Sequence, residues 1–476
     1  MDDRTTSYDR VHYPSAVYRT TTPEHLAAIA RLHGLDAADP RSARVLEIAG
    51  GDGLNVLAMA AAYPGAQFVS FDLAASAVAH GQALIASAGL ANVRIETADI
   101  LEAAGSMEGP FDYVIAHGLY AWVPPHVQQA TLALIDRVLS PQGIVFISYN
   151  ALPGGHLRMA LRDMLLFELE GVSDPEARID RAIEVLNAFG QPRDDDSVSQ
   201  AALRRAARLT VGKDRHTLFH DELGPVYDPK ALQTVAEEAA AHNLAYLTEA
   251  QPGGLFHGFP GEQVDDRETV RRAQRRDNDE VCFFHQSLFV RPKRHPARVP
   301  DPAWLGTLLA GVPDSLRRTS ESEFTSSAGS FQLDDQVLAD FLEKLVRIAP
   351  ARFPLADLAA SEDHAAAILE LINQGIIEPH SLPFPGALLP GERPVVSALV
   401  RALIAHEVPN LVTMDHRVVH LTDDAPRRLM ALMDGTRTAA EIAADARRMG
   451  LSSEIDVNLG LQQLARVGML ALSPDS

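Results

Sequence analysis

The chain has 476 residues, more than one ordinary domain holds, so about two to four domains are expected. Its net charge of −21 disfavours nucleic acid and suits a basic or neutral partner, and no apolar run is long enough to insert in a membrane. Cys282 is the only cysteine, which excludes an intrachain disulfide and a cysteine-cluster zinc site; with a start, Met1-Asp2-Asp3-Arg4, that lacks a signal peptide's pattern, a cytoplasmic location is expected.

The first strong pattern lies at residues 45–55. Val45, Leu46 and Ile48 form a short apolar run of the buried-strand kind. Gly50, Gly51 and Gly53 follow, and Leu54, Val56, Leu57 and Met59 open a helical pattern after them. Strand, glycine turn and helix start cradle a nucleotide-like cofactor, because glycine lets backbone approach a ligand without a Cβ in the way. The glycine spacing is not that of a dinucleotide site. Glu47, just before the loop, would repel a pyrophosphate but suits a cationic ligand.

Downstream, Gln67 to Leu73 reads as a second strand ending in Asp72, where an acid meets ribose hydroxyls. Ala91 to Ile100 reads as a third, with Asp99 and Ile100 at its end. Phe111 to His117 and Gly143 to Asn150 read as the fourth and fifth, with helices over Ala74–Ala88 and Pro124–Leu139 between strands. This alternation predicts a parallel sheet. Asp72 or Asp99 alone could be a strand-end cap; at matching strand ends after such a loop, the two favour a cofactor.

After Asn150, Leu157 to Leu209 has helical spacing, broken by the polar stretch Gln191–Gln200. Asp228 to His242 reads as an amphipathic helix, and Asn243–Ala250 and Val281–Arg291 as strands. Pro292 to Pro302 reads as a linker and Ser320–Ser330 as a polar break. Residues 331–380 and 425–472 share an outline of two helices, the second leaving at a glycine (Gly375, Gly468) into a strand, as in a winged helix. The candidate recognition stretches are not strongly basic, so protein contact or packing is expected there rather than DNA binding.

The loop from Glu47 to Gly53 resembles the Glu-x-Gly-x-Gly-x-Gly motif of class I S-adenosylmethionine-dependent methyltransferases, with Ala49 at the first glycine. Three further segments narrow the resemblance: Tyr8-Asp9 with Tyr13-Pro14-Ser15, then His117 to Pro124, then Ser148 to Arg158. These look like methyltransferases that carry a methyltransferase regulatory domain, a group that includes bacterial protein lysine methyltransferases acting on outer-membrane proteins. His220-Asp221 and Pro225-Val226-Tyr227 are similar to the start of the regulatory segment. His285 stands where the family tends to have arginine, in Phe284-His285-Gln286-Ser287-Leu288.

The resemblance implies S-adenosyl-L-methionine as cofactor, held by Tyr8, Tyr13, Glu47, Ala49, Gly50, Gly51, Gly53, Asn55, Asp72, Leu73, Asp99, Ile100 and His117. It implies an α/β fold, a doubly wound Rossmann-like seven-strand sheet with a helical insertion, plus a mostly α winged-helix-like C-terminal region. The expected divisions are a catalytic core over 1–156, a helical insertion over 157–215 for dimerisation or acceptor access, a regulatory segment completing the sheet over 216–295, and C-terminal winged-helix-like domains over 296–476. A homodimer and a protein or peptide acceptor are implied, with no nucleic acid.

Methyl transfer from a sulfonium is an in-line displacement, so a catalyst mainly aligns the nucleophile and excludes water, with no metal needed. A lysine acceptor, with a free pKa of about 10.4, must first lose a proton. Aromatic side chains desolvate it and hold the cationic product. Tyr120, Trp122 and Tyr149, near the expected strand ends, are the candidates for this role, beside Tyr8 and Tyr13, with His117 a candidate proton acceptor. Each has a plainer reading: Tyr120 and Trp122 as core caps, Tyr149 as an ordinary strand end, His117 as a satisfied core-edge histidine. His156, His216 and His220 lack metal-ligand spacing. A small-molecule or natural-product N- or O-methyltransferase and a non-catalytic cofactor-binding regulator stay open as alternatives. The absence of an Asn/Asp-Pro-Pro-Tyr loop after strand four argues against an adenine or glutamine amide methyltransferase.

Overall fold

Seven strands, β1 (Arg44–Ile48), β2 (Gln67–Asp72), β3 (Val93–Thr97), β4 (Phe111–Ala116), β5 (Leu139–Asn150), β6 (Ala245–Glu249) and β7 (Phe284–Val290), form one sheet in the order β3–β2–β1–β4–β5–β7–β6. The computed structural model describes residues 6–472 apart from 259–261, 263, 299, 328, 360, 422 and 452–455, so Met1–Arg4 lie outside the described residues. The first five strands pair in parallel, and β7 runs antiparallel to both β5 and β6. Both faces are covered, which is why these strands read as near-continuous apolar runs.

Side-chain alternation splits the interior in two. Val45, Phe68, Tyr113, Ile115 and Phe146 face a core shared with the helices Pro23–Leu32, Leu54–Ala62 and Ala75–Ala88. Leu46, Val69, Val114, Val145, Ile147 and Tyr149 face the other, against Ile100–Ser106, Pro125–Val138 and Leu232–Ala240. The chain builds outward from β1 to β3, then returns to place β4 on the other side of β1. That reversal opens a crevice at the carboxyl ends of β1 and β4, the usual ligand position in such sheets.

Between β5 and β6 the chain makes the helices Gly155–Glu168, Pro175–Phe189, Val198–Val211 and Arg215–Leu223, packed on a small core of their own that includes Leu161, Leu165, Leu186 and Leu218. This helical insertion adds no strand to the sheet. The helix expected from Asp228 begins only at Leu232. The preceding residues are engaged elsewhere: Lys230 bridges Ala151 in parallel, its N–H on the Asn150 carbonyl at 2.9 Å, so they clip onto the end of β5.

Two expected breaks are structured. In the 292–302 stretch, read as a linker, Arg298 is buried, donates to the Tyr246 and Leu247 carbonyls at 2.9 Å each, and pairs with Asp266 at 2.6 Å. A guanidinium fork suits such adjacent acceptors, and it docks the segment against β6. Within 320–330, Glu323–Ser326 pairs with Gly329–Gln332 and with Arg317–Arg318 as an antiparallel sheet. Phe324, fully buried and stacked on Phe331 at 5.6 Å, gives that polar stretch its apolar anchor.

Beyond it, the helices Gln336–Ile348 and Glu362–Asn373 stand beside a small sheet of Leu309–Gly311, Phe353–Pro354 and Glu378–His380. A winged-helix region follows, with the helices Ala398–Ala405, Ala439–Arg448 and Val457–Arg466 and the hairpin Asn410–Val412/Val418–His420. Helix Ala398–Ala405 packs directly on helices Ala75–Ala88 and Leu54–Ala62. Among the described residues, no helix is long and apolar enough to cross a membrane.

Candidate active site

The turn after β1 has left-handed backbone at Ala49 (φ 58°), Gly51 (φ 60°) and Gly53 (φ 75°). Glycine meets this demand at two of the three positions, and Ala49 bears the strain of the third. A Cβ on Gly50 would collide with Ser70 and the Glu47 carboxylate, so that position tolerates no side chain. A Cβ on Gly51 would meet nothing, so the loop's outer side is open. Asp72, ending β2, accepts from Gly51 N at 2.9 Å and from Ala74 N at 2.8 Å. Its carboxylate therefore braces the loop and keeps acceptor positions to spare. Leu73 beside it is exposed. Asp99 lies past the end of β3 and caps helix Ile100–Ser106 through Leu101 N at 2.8 Å, which turns Ile100 inward.

Glu47 is 3 % exposed. Asn55 Nδ2 donates to its Oε1 at 2.6 Å, while its Oε2 has no partner. Burial pushes the carboxyl up to about 8, although the Asn55 hydrogen bond pulls the other way. A buried carboxylate oxygen without a partner, beside an open glycine turn, fits a ligand that brings a cation.

The N-terminal segment roofs this end of the sheet with rings. Tyr8 stacks on His220 at 4.1 Å, Tyr13 O–H reaches Asp221 at 3.4 Å, and Tyr18 stacks on His117 at 3.7 Å. Burial raises Tyr8 and Tyr18 to about 12, so both stay phenols. Burial likewise lowers His117 to about 4, leaving it neutral. Ser15 hydrogen-bonds Asp52, which also takes His80 Nδ1 at 3.3 Å.

The expected aromatic grouping is divided. Tyr8 and Tyr13 gather around His220, while His117 stacks separately with Tyr18. Trp122 stands apart against Tyr227 at 5.1 Å, with the Arg158 and Arg162 guanidiniums 5.0 and 5.8 Å over its ring. Tyr120 and Tyr149 are sealed in the second core, 0 % and 1 % exposed. Tyr120 donates to Glu238 at 2.6 Å, and Tyr149 shares a hydrogen bond with Ser287 at 3.1 Å. Alternation explains Tyr149: it shares a face of β5 with Val145 and Ile147, the face that helices cover. Neither ring lines an open channel here, contrary to the expectation for them.

Tyr18 and His416 were not singled out from sequence. Tyr18 had a signal, an aromatic just after Tyr13 in the same segment. His416 had none, because its partner, Asn55, is 361 residues away. Asp277, Cys282 and His285 have ligand-type atoms within 4.8 Å of one another. The imidazole, however, already lies between two carboxylates, with Nε2 2.9 Å from Asp277 and Nδ1 3.1 Å from Glu249.

Residues 45–143 match a family model described as a methyltransferase domain, and residues 392–466 match one described as the PKMT, C-terminal winged helix domain. The uncharacterised protein RP028 of Rickettsia prowazekii (strain Madrid E) is 33 % identical over 221 residues, 46 % of this chain and 88 % of that protein. The uncharacterised protein RP789 of the same strain is 31 % identical over 265 residues, 55 % of this chain and 48 % of that one. The solved structure of PKMT2 from Rickettsia typhi matches with a TM-score of 0.81 at 21 % identity, covering 97 % of this chain and 100 % of that one. PKMT2 in complex with AdoHcy matches at 0.82 and 20 %, with the same coverage. At such identities the likeness to PKMT2 concerns the fold.

Proposed function

Because the chain belongs to the class I S-adenosylmethionine-dependent methyltransferases that end in a PKMT-type winged helix, we propose that it methylates a lysine side chain of a protein or peptide. The observation that carries this reading is the cradle at the end of β1: a glycine turn open on its outer side, with a buried and unpartnered Glu47 oxygen beside it. In this reading Glu47 takes the cofactor's ammonium, and the 49–53 backbone lies along its methionine end. Asp72 accepts the ribose hydroxyls. Asp99 accepts the adenine amine, with Leu73 and Ile100 flanking the ring. Tyr8 and Tyr13 close the site from above, and Asn55 holds Glu47 in place.

The cofactor, when bound, supplies a methyl group on a sulfonium that leaves as a neutral thioether. The rest of the chemistry falls to the chain. The ring wall of Tyr8, Tyr13, Tyr18, His117 and His220 excludes water, favours the unprotonated amine and presents π-faces to the methylated cation. His117, neutral, accepts a hydrogen bond from the incoming amine. Trp122 shapes the acceptor side through its stack with Tyr227 and Arg158. Tyr120 and Tyr149 position the loops after β4 and β5 from beneath. The lysine assignment draws support from the PKMT-type tail, the net charge of −21, and Asp221 beside the ring wall.

The same reading divides the chain as core 1–156, helical insertion 157–215, regulatory segment 216–295 and C-terminal region 296–476, in a cytoplasmic homodimer. Exposed apolar residues on the insertion support its use in dimerisation: Phe167, Val198 and Leu209 are 74 %, 89 % and 70 % exposed. The test is incubation of the intact protein with labelled cofactor and a peptide library, with the modified residue read by fragmentation mass spectrometry. Methylated lysine is expected. Label confined to hydroxyls, carboxylates or small molecules would reject the lysine acceptor, and cofactor binding with no transfer at all would indicate a regulator.

A further inference from the structure

The winged-helix region reaches the cofactor cradle through its hairpin as well as through the helix Ala398–Ala405. The hairpin of Asn410–Val412 and Val418–His420 turns through residues 413–417, and its tip leans on the catalytic core. Asn410 Nδ2 donates to the Ser15 carbonyl at 3.0 Å. His416, 5 % exposed, places Nε2 2.7 Å from Asn55 Oδ1. The backbone around it is held on both sides: His416 N donates to Thr413 O at 3.1 Å, Thr413 N to Arg417 O at 2.9 Å, and Met414 N to Gly468 O at 2.8 Å, at the end of the last helix.

The hydrogen-bond pattern fixes which atom donates. Tyr18 N–H can only donate, and it meets Asn55 Oδ1 at 3.0 Å. Asn55 Nδ2 therefore points at Glu47 Oε1, 2.6 Å away, and His416 must carry its hydrogen on Nε2. The direction of the contacts runs His416 to Asn55 to Glu47. His416 is lowered to about 3 by burial, so it donates as a neutral ring at every physiological pH. It also sits at φ 67°, in the left-handed region that a histidine adopts only at a cost. Strain of this kind persists where the surroundings over-determine it, and here the hydrogen bonds of the hairpin turn hold it together with the side-chain contact.

We propose that His416 is a positioning residue of the cofactor site, by which the C-terminal region fixes Asn55 and, through it, the Glu47 carboxylate that meets the cofactor. The proposal rests on the reading of the cradle above. A donor at 416 keeps the Asn55 oxygen occupied and its amide nitrogen turned to Glu47. Without that donor the Asn55 amide keeps only Tyr18 N–H, at 3.0 Å on its oxygen, and Thr21 Oγ1, 3.0 Å from its nitrogen, and it holds the buried carboxylate less firmly in one direction. Cofactor affinity thus depends on a hairpin far from the turn in sequence, and loss of the C-terminal contact weakens binding with every core residue intact.

The test is calorimetric titration of the full-length protein with S-adenosylhomocysteine, with thermal unfolding recorded for each variant. His416→Asn suits the left-handed backbone but is too short to reach Asn55; it is expected to stay folded, with at most a modest drop in unfolding temperature, and to bind about tenfold more weakly. His416→Gln carries an N–H donor at about the reach of Nε2 and is expected to recover most of that loss, which a packing role alone would not produce. Wild-type affinity in His416→Asn would overturn the proposal, as would equal losses in both variants. Absence of binding by the wild-type protein would overturn the reading of the cradle itself, and the proposal with it.

Discussion

Asp72 braces the glycine turn and, in the proposed reading, has a second task at the ribose. Its oxygens already accept from Gly51 and Ala74, yet a carboxylate has about four acceptor positions, so capacity remains for the ribose in the proposed reading. Asp72→Ala removes the brace and the proposed ribose contact. Bonds to charged acceptors are worth roughly 1.5–3 kcal/mol each, so cofactor affinity by calorimetry should fall at least tenfold, or about 1.4 kcal/mol. Unchanged affinity would dismiss the ribose assignment. The place of this residue at the end of β2, beside the glycine turn, was legible in the sequence because it follows from local pattern: an apolar strand, then an acid, at a set distance past a glycine turn. The ring wall was only partly legible. Tyr8, Tyr13 and His117 sit in recognisable segments; the first two meet around His220, and His117 meets Tyr18. Tyr120 and Tyr149 were grouped with them by nearness to strand ends, but which face of a strand a ring takes depends on the helices that later cover it. His416 could not be found at all, since nothing near it in sequence marks a contact across the fold.

At the scale of elements, the last two strands are joined by a buried ionic group. His285 on β7 lies between Glu249 on β6 and Asp277 on helix Asp266–Glu280. Burial alone would push the imidazole down; the two carboxylates outweigh it and hold it well above 6.5. Glu249 also accepts from Ser287 Oγ at 2.7 Å and Tyr246 O–H at 3.0 Å, so the imidazolium anchors a network that reaches Tyr149. A histidine raised in the folded state gives its full stabilisation below the unfolded pKa of about 6.5 and loses it as pH rises through the folded value. His285→Gln leaves two buried carboxylates without a cation and should cost about 3 kcal/mol in urea unfolding at pH 6. The gap to wild type should narrow as pH rises from about 6.5 through the raised value of the folded state. A gap that widens instead would exclude the charged imidazole. The strands themselves were readable as apolar runs, and their ends moved by only a few residues. The helix expected at Asp228 was displaced because Lys230 answers a long-range bridge to Ala151, and the 292–302 stretch was docked by Arg298; composition carries neither fact.

Across the whole molecule, charge is both fastener and lure. Buried Glu24, on the first long helix, meets Arg352 at 3.4 Å and His380 at 3.1 Å and takes the Ser381 N–H at 2.6 Å. Arg19 pairs with Glu378, which also binds Arg417 at 2.9 Å. The contacts of Glu24 and Arg19 join residues more than 300 positions apart in the chain, so the C-terminal region is part of the same folded body as the catalytic core, and the His416 contact has a firm base. The remaining charge is unbalanced, with 63 acidic against 42 basic side chains. If the acceptor is the proposed lysine, a surplus of 21 negative charges attracts it before any specific contact forms, and salt screens the attraction, the Debye length shrinking from about 10 Å at 0.1 M to about 3 Å at 1 M. Steering acts on encounter, not on the transfer step inside a water-poor site. For a lysine-containing basic peptide, KM should therefore rise several-fold from low to high salt while kcat stays level, and a neutralised peptide of the same sequence should show a flat KM. Steady-state kinetics across a salt series decides it: a KM indifferent to salt for the basic peptide would mean that the acidic surface plays no part in bringing the acceptor to the ring wall.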